Sequence, residues 1–230
     1  MNFLYLHGFA SSPQSRKARF FSEKIEAMGW QCLVPDLNVP SFETLSLSSQ
    51  IELCLQCIAK LDGPIIVVGS SMGGLLAALL EQHLRSSNSA AKIAALILLA
   101  PGFGITKRWR QIIGEDGMRE WEKSGSRLFF HYKANQELPL HFAFTQDLEH
   151  YQTDDFKIDI PVLVFHGIDD QTVPVEHARQ FTTLNQLTEL VELVELDDGH
   201  ELGNSLETIW QQSSQFINSL STASDTKAIP

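Results

Sequence analysis

The chain has few cysteines, few basic residues and no long apolar run, and each shortage excludes a class of protein. Its three cysteines among 230 residues do not suggest a disulfide framework, which fits a reducing compartment. Lysine and arginine number 17 against 28 acidic residues, and the net charge of −11 disfavours nucleic acid and anionic membranes as partners. No apolar run approaches the roughly 18 residues of a membrane span.

The N-terminus and one cysteine pair carry two further expectations. The first residues, Asn2-Phe3-Leu4-Tyr5-Leu6-His7, lack a basic leader and have the pattern of a strand in the mature fold. We therefore expect a cytoplasmic location. Cys54-x-x-Cys57 could be half of a metal site, but it has no second ligand pair and lies in an apolar helical pattern, which favours buried thiols.

Runs with strand character alternate with runs of helical periodicity along most of the chain. The strand runs are 3–6, 32–34, 65–68, 93–99, 161–165 and 191–196, and the helical runs are about 15–28, 47–61, 72–84, 175–184 and 202–220. This alternation predicts an α/β fold with a mostly parallel six-stranded sheet and helices on both faces. The length fits a single domain over residues 1–230 with a frayed polar tail at about 221–230.

One long interval, between Pro101 and Pro161, interrupts the alternation. A compact domain rarely carries about 60 residues as a simple connection. We therefore interpret about 103–157 as an inserted helical cap over the C-terminal edge of the sheet, with extra helices on the side of the domain as the alternative. The aromatic residues that we expect to line an apolar substrate pocket in this cap are Phe129, Phe130, Phe142 and Phe144.

The pentapeptide Gly69-Ser70-Ser71-Met72-Gly73 lies between a strand run and a helical run. A strand that turns tightly into a helix holds the central serine in a strained position, with its hydroxyl above the sheet. Ser71 is therefore the candidate nucleophile. Ser70 is excluded because Val68 stands where its own first glycine should be. A Gly/Ser turn without a catalytic role is the alternative interpretation.

A serine hydroxyl needs a base within hydrogen-bond reach and an acid that orients the base. Two loops that follow later strands supply both residue types, His166-Gly167-Ile168-Asp169-Asp170 and Asp197-Asp198-Gly199-His200. Because the carboxyl ends of parallel strands meet at one edge of a sheet, side chains from these loops can reach Ser71.

Four segments together resemble the α/β-hydrolase superfamily, in particular its small bacterial serine esterase-like members. They are His7-Gly8-Phe9, the pentapeptide around Ser71, Gly167-x-x-Asp170-x-x-Val173-Pro174 and Gly199-His200. The resemblance covers nearly the whole chain and implies the α/β-hydrolase fold without its first hairpin.

The resemblance also implies a role for each site residue. Ser71 is the expected nucleophile, His200 the general base and then acid, and Asp170 the orienting carboxylate. The backbone N–H groups of Phe9 and Met72 are the expected oxyanion hole.

Several neighbouring residues are alternatives for these roles. Asp169 could be the acid, although the spacing to Val173 favours Asp170. Asp197 and Asp198 precede His200 on the same loop and are expected to be solvated turn residues. His7 is expected to shape the oxyanion loop through its backbone, and His166 to be a packed core histidine.

The expected activity is hydrolysis of a small carboxylic ester or thioester through an acyl-enzyme. No metal or organic cofactor is required for this chemistry, and a small-molecule ester is the expected partner. A C–C bond hydrolase or a thioesterase would use the same three residues, and a non-catalytic hydrolase-like binding module is a further alternative. The sequence leaves the oligomeric state open.

Overall fold

The computed structural model describes residues 1–87 and 93–226. Its elements are β1 (Asn2–Leu6), α1 (Arg16–Ala27), β2 (Gln31–Leu33), α2 (Leu47–Ile58), β3 (Ile65–Ser70), α3 (Met72–Ser86), β4 (Ile93–Leu99), α4 (Ile105–Ser124), β5 (Ser126–His131), β6 (Gln136–His141), α5 (Ala143–Leu148), β7 (Val162–Gly167), α6 (Glu176–Leu184), β8 (Val191–Leu196) and α7 (Leu206–Thr226).

The main sheet has six strands in the order β2-β1-β3-β4-β7-β8, and every neighbouring pair is parallel. All six residues of β3 and all six of β7 are buried, as expected for central strands that are covered on both faces. The predicted six-stranded sheet is therefore confirmed. The strands at 93–99 and 191–196 have the predicted bounds.

Alternate residues of each strand contribute to one of two apolar cores. Leu4 and Val67 face the core that includes α2 and α3, whereas Phe3 and Ile66 face the core that includes α1 and α7. Helices therefore cover both faces of the sheet, as predicted. Because the six strands are parallel, their carboxyl ends lie at the same edge of the sheet. The loops after β1, β3, β7 and β8 therefore lie together at this edge.

The insertion between β4 and β7 is only partly helical. It contains α4, the antiparallel hairpin β5–β6 and α5, and α4 is kinked at Gly114, where φ is +76°. The prediction of a purely helical cap is therefore wrong in part, because the insertion also contains this hairpin. The insertion packs on loops at the carboxyl edge of the sheet: the Tyr132 N–H donates to Ala10 O at 3.0 Å, and the His141 N–H donates to Glu43 O at 2.8 Å.

The last helix differs from its predicted bounds. It begins at Leu206 instead of about residue 202, because residues before it form the turn that follows β8. It continues to Thr226, so the first part of the segment predicted to be frayed is helical, and residues 227–230 lie outside the described part of the chain. Within the described ranges, no helix combines the length and apolar character needed to cross a bilayer.

Candidate active site

Ser71 is the residue at which β3 turns into α3, and its backbone is strained. Its φ is +55° and its ψ is −119°, a left-handed conformation that is uncommon for a residue with a side chain. Backbone hydrogen bonds hold it there: the Ser71 N–H donates to Leu99 O at 2.9 Å, and Ser71 O accepts from Gly102 N–H at 2.8 Å. The fold thus fixes the position of this hydroxyl group before any ligand binds.

The glycines around Ser71 lie where a Cβ atom would collide with backbone. A Cβ at Gly69 would lie 2.7 Å from Gly74 Cα, and one at Gly73 would lie 2.7 Å from His7 O. At Gly8, a Cβ would lie 3.2 Å from Ser71 Cβ. The need for small residues at Gly69 and Gly73 therefore has the steric cause predicted from the sequence.

The structure brings Ser71, His200 and Asp170 into one hydrogen-bonded line. The distance from Ser71 Oγ to His200 Nε2 is 2.9 Å, and that from His200 Nδ1 to Asp170 Oδ2 is 2.7 Å. The His200 side chain is 15% exposed and that of Asp170 is inaccessible to solvent. This arrangement has the geometry of a serine nucleophile with a base and an orienting acid.

Asp198 builds the loop that carries His200. Its Oδ2 accepts hydrogen bonds from Asn204 N–H at 2.9 Å and from the Ser205 hydroxyl at 2.9 Å, and its Oδ1 accepts from Gly199 N–H at 2.8 Å. These bonds close the turn between β8 and α7. Asp198 was expected to be a solvated turn residue, and its scaffolding role is a finding of the structure.

The Asp170 carboxylate is buried and fully engaged in hydrogen bonds. Its Oδ1 accepts from Thr172 N–H and Val173 N–H, each at 2.8 Å, and its Oδ2 lies 3.1 Å from His166 Nε2 in addition to the bond with His200. Burial by itself raises the pKa of Asp170, but the hydrogen bonds from His166, His200 and Val173 outweigh it and hold the pKa well below its usual range.

Asp169, the alternative acid, is not brought to this site. Its side chain is exposed, and its backbone N–H donates to Asp198 O at 3.2 Å. Asp197 is also exposed. The carboxylate that meets His200 is therefore that of Asp170.

The low pKa of Asp170 predicts how stability responds to acid. Its folded pKa lies below the unfolded value of about 3.9, so its contribution to stability is present above that value and is lost as the pH falls through the folded pKa. We expect the difference in unfolding free energy between the natural protein and Asp170→Asn to shrink as the pH falls below about 4. Urea unfolding at several pH values measures it, with the exposed Asp169→Asn as the control. A difference that stays constant down to about pH 3 would contradict the prediction.

Of the two residues predicted for the oxyanion hole, Met72 follows Ser71 directly and Phe9 lies in the loop after β1. Met72 is the first residue of α3, and N–H groups in the first turn of a helix have no partner within the helix. Phe9 follows Gly8, where an added Cβ would lie 3.2 Å from Ser71 Cβ. His7 shapes this loop with its ring: its Nε2 accepts from Leu37 N–H at 3.0 Å, so its Nδ1–H donates to Gly8 O at 2.9 Å.

Rings from the insertion surround the side chain of Phe9. The ring of Trp109 on α4 is 5.3 Å from that of Phe9, and the ring of Phe129 on β5 is 5.6 Å from it, both edge to face. Trp109 and Phe129 are themselves stacked, with centroids 5.4 Å apart. The loop that carries Phe9 therefore packs against the insertion through this ring.

The structure separates the four aromatic residues that were predicted to bind substrate. Phe144 is fully buried, and Phe130 is 47% exposed on the opposite face of β5 from Phe129, because successive strand residues point to opposite sides. Phe129 and Phe142 are partly buried against the core. Contact of any of the four residues with substrate stays a prediction.

The possible metal ligands noted in the sequence do not form a cluster. Cys54 and Cys57 are free and buried on α2, and burial raises the pKa of the Cys57 thiol. Over the residues that the structure describes, no group of three or more His, Cys, Asp or Glu side chains is placed to hold a metal ion.

Solved structures of α/β-hydrolases match the chain over nearly its whole length. Est1E from Butyrivibrio proteoclasticus, solved with ferulic acid bound, is 23% identical with a TM-score of 0.78, covering 96% of this chain and 89% of that chain. Alpha/beta hydrolase domain-containing protein 10 from mouse is 19% identical with a TM-score of 0.77, covering 95% and 90%. The chain therefore has the α/β-hydrolase fold, as the sequence predicted.

Within that fold, the chain belongs to the family described as "Uncharacterised protein family (UPF0227)", whose model matches residues 2–217. It is also similar to the Mycoplasma pneumoniae protein "Putative esterase/lipase 2", with 35% identity over 109 residues. These residues are 44% of this chain and 37% of that relative, so the match spans little more than a third of the relative's length.

Proposed function

We propose that the protein is a serine hydrolase that cleaves small carboxylic esters or thioesters through an acyl-enzyme. The observation that carries this proposal is the unbroken hydrogen-bonded line from the Ser71 hydroxyl through the His200 ring to the Asp170 carboxylate, with distances of 2.9 and 2.7 Å. The name of the Mycoplasma relative favours an ester as the substrate.

In the proposed first step, Ser71 Oγ attacks the substrate carbonyl while His200 Nε2 takes its proton. Asp170 accepts from the Nδ1–H of His200, which leaves Nε2 free to act as the base. The low pKa of Asp170 keeps its charge in place, and that charge stabilises the imidazolium that forms. The His200 imidazolium then gives the proton to the departing alcohol or thiol.

The negative charge that develops on the carbonyl oxygen is assigned to the backbone N–H groups of Phe9 and Met72. Gly8 lacks a Cβ, so the loop can approach Ser71 closely enough for Phe9 N–H to reach that oxygen. Each such donor is typically worth about 3 kcal/mol of barrier. A water molecule activated by His200 then hydrolyses the acyl-enzyme by the reverse sequence of proton transfers.

The proposed setting of this chemistry is the cytoplasm. The three cysteines are all free in the structure, which supports a reducing compartment. The proposed scheme needs only the side chains described above and a small ester, and it assigns no role to a metal or an organic cofactor.

Two measurements test the proposal. We expect the natural protein to hydrolyse p-nitrophenyl esters from acetate to hexanoate, and Ser71→Ala to show no enzymatic turnover. We also expect a fluorophosphonate to label Ser71 alone, as read by peptide mass. The matched control is Ser70→Ala, because Ser70 is the buried neighbour in β3 and has no assigned role in the chemistry.

Three outcomes separate the candidate functions. Equal ester turnover by the natural protein and Ser71→Ala would remove the assignment of the nucleophile. Labelling of Ser71 without turnover of any ester would favour the C–C bond hydrolase. No labelling and no turnover would favour a hydrolase-like binding module.

A further inference from the structure

His166 is a completely buried histidine that the catalytic scheme above does not use. It lies near the end of β7, four residues before Asp170. Its Nε2 is 3.1 Å from Asp170 Oδ2 and 2.8 Å from Val173 O. Its Nε2 therefore faces the carboxylate that orients His200 as well as a backbone carbonyl group.

The surroundings of His166 determine which of its nitrogens carries a proton. Both atoms that face Nε2 are acceptors, so Nε2 carries the proton. Val173 O is the nearer acceptor at 2.8 Å, and Asp170 Oδ2, at 3.1 Å, shares the same proton. Its Nδ1 is buried and has no hydrogen-bond partner among the residues that the structure describes. A second proton on Nδ1 would bury an unpaired charged donor, so the ring is a neutral Nε2–H tautomer.

With this proton, a donor faces each acceptor site of the Asp170 carboxylate. Its Oδ1 receives two backbone N–H groups, and its Oδ2 accepts from His200 and shares the His166 Nε2–H with Val173 O. A carboxylate has about four such sites. Rotation of the carboxylate would therefore break hydrogen bonds, and the charge that His200 meets is already shared with a second donor.

We propose that His166 is a positioning residue, which fixes Oδ2 of Asp170 and limits the share of its charge that His200 receives. This inference rests on the proposed function, because it acts through the base of that reaction. Without the His166 donor, Asp170 accepts more strongly from His200. The stronger bond stabilises the imidazolium form of His200 relative to the free base, which moves the pH dependence of the reaction upward.

Other charged groups act on this pair and are left unchanged by a substitution at position 166. Arg108 on α4 of the insertion interacts with Asp170, and its own pKa is lowered by burial and raised by that carboxylate. His177 on α6 and Glu195 on β8 are the titratable groups near His166 itself. These groups are the same in every variant at position 166. A difference in pH dependence between the variants is therefore caused by the presence or absence of the N–H donor at that position.

The test compares an apolar variant with a variant that keeps a donor. His166→Met removes the N–H at similar length, and the amide nitrogen of His166→Gln can reach the position of Nε2. For His166→Met we expect the acidic limb of the kcat/KM profile on p-nitrophenyl butyrate to move up by about one pH unit, and kcat on the plateau to fall about tenfold. For His166→Gln we expect the limb to return to within about 0.3 unit of the natural one.

A purely structural role would give a different pattern. Both variants would then lose thermal stability while their acidic limbs coincide with the natural one, and this outcome would overturn the proposal. It would do so without touching the proposed function, provided that the natural protein hydrolyses the ester and is labelled at Ser71. Absence of both activities from the natural protein would instead defeat the proposed function.

A measurement on the natural protein keeps the inference testable if His166→Met does not fold. Long-range ¹H–¹⁵N correlation spectra report the tautomer of each histidine. We expect His166 to show a protonated Nε2 and a bare Nδ1 over roughly pH 7 to 8. A protonated Nδ1 in that range would overturn the proposal.

Discussion

His200→Gln is expected to lower kcat on a p-nitrophenyl ester by about 10⁴-fold or more. Glutamine cannot accept the Ser71 proton and pass it to the leaving group, although it can fill much of the same space. The 2.9 Å contact between Ser71 Oγ and His200 Nε2 is the path of that proton in the proposed scheme. The measurement is kcat at saturating ester, corrected for the uncatalysed rate.

The double variant makes this expectation sharper. If Ser71 and His200 act as one unit, Ser71→Ala combined with His200→Gln should be no slower than the slower single variant, because removing either residue already abolishes the step. His83→Gln is the control, since His83 is an exposed histidine on α3. Losses that multiply in the double variant would mean that the two residues act independently.

Gly73→Ala is expected to destabilise the protein by more than about 4 kcal/mol, a loss that few single substitutions reach. The new Cβ would meet backbone atoms only, 2.6 Å from Leu6 C and 2.7 Å from His7 O. Backbone of a central parallel strand cannot move aside as a flexible side chain can. If the variant folds, the displaced loop carries Gly8 and Phe9 away from Ser71, so we also expect kcat/KM to fall.

Gly199→Ala is the matched control for this experiment. Gly199 also lies in a loop at the carboxyl edge of the sheet, but a Cβ there has no neighbour within 4 Å. Urea unfolding of both variants should therefore show a large loss of stability at position 73 and a small effect at position 199. Native stability of Gly73→Ala would contradict the steric account of the turn.

The sequence predicted the main sheet well because its strands are continuous apolar runs. It missed the hairpin β5–β6 for two physical reasons. The neighbouring Phe129 and Phe130 are both apolar, which hides the alternation of a half-exposed strand, and Pro139 within β6 argues against a strand. Only the packing of the hairpin against the domain shows that Phe129 faces inward and Phe130 outward.

At the site, motif order and spacing identified the residues that the structure brings together, Ser71, Asp170 and His200. The contact between His166 and Asp170 was missed, because a histidine at a strand end reads as a core residue. The available signal was that both lie in the same strand-end segment, four residues apart. Asp198 was missed because the hydrogen bonds that define its role form only when the turn after β8 closes.

The Phe9 ring packs edge-on against the stacked rings of Trp109 and Phe129, which links the fit of the acyl group to the position of a backbone N–H. Phe9 bears one of the proposed oxyanion donors on its backbone, while its side chain is packed against the insertion. A ligand that displaces the Trp109 or Phe129 ring must also shift that donor. Acyl groups of unsuitable bulk are therefore expected to be penalised in turnover as well as in affinity, so that selectivity resides in the speed of the chemical step.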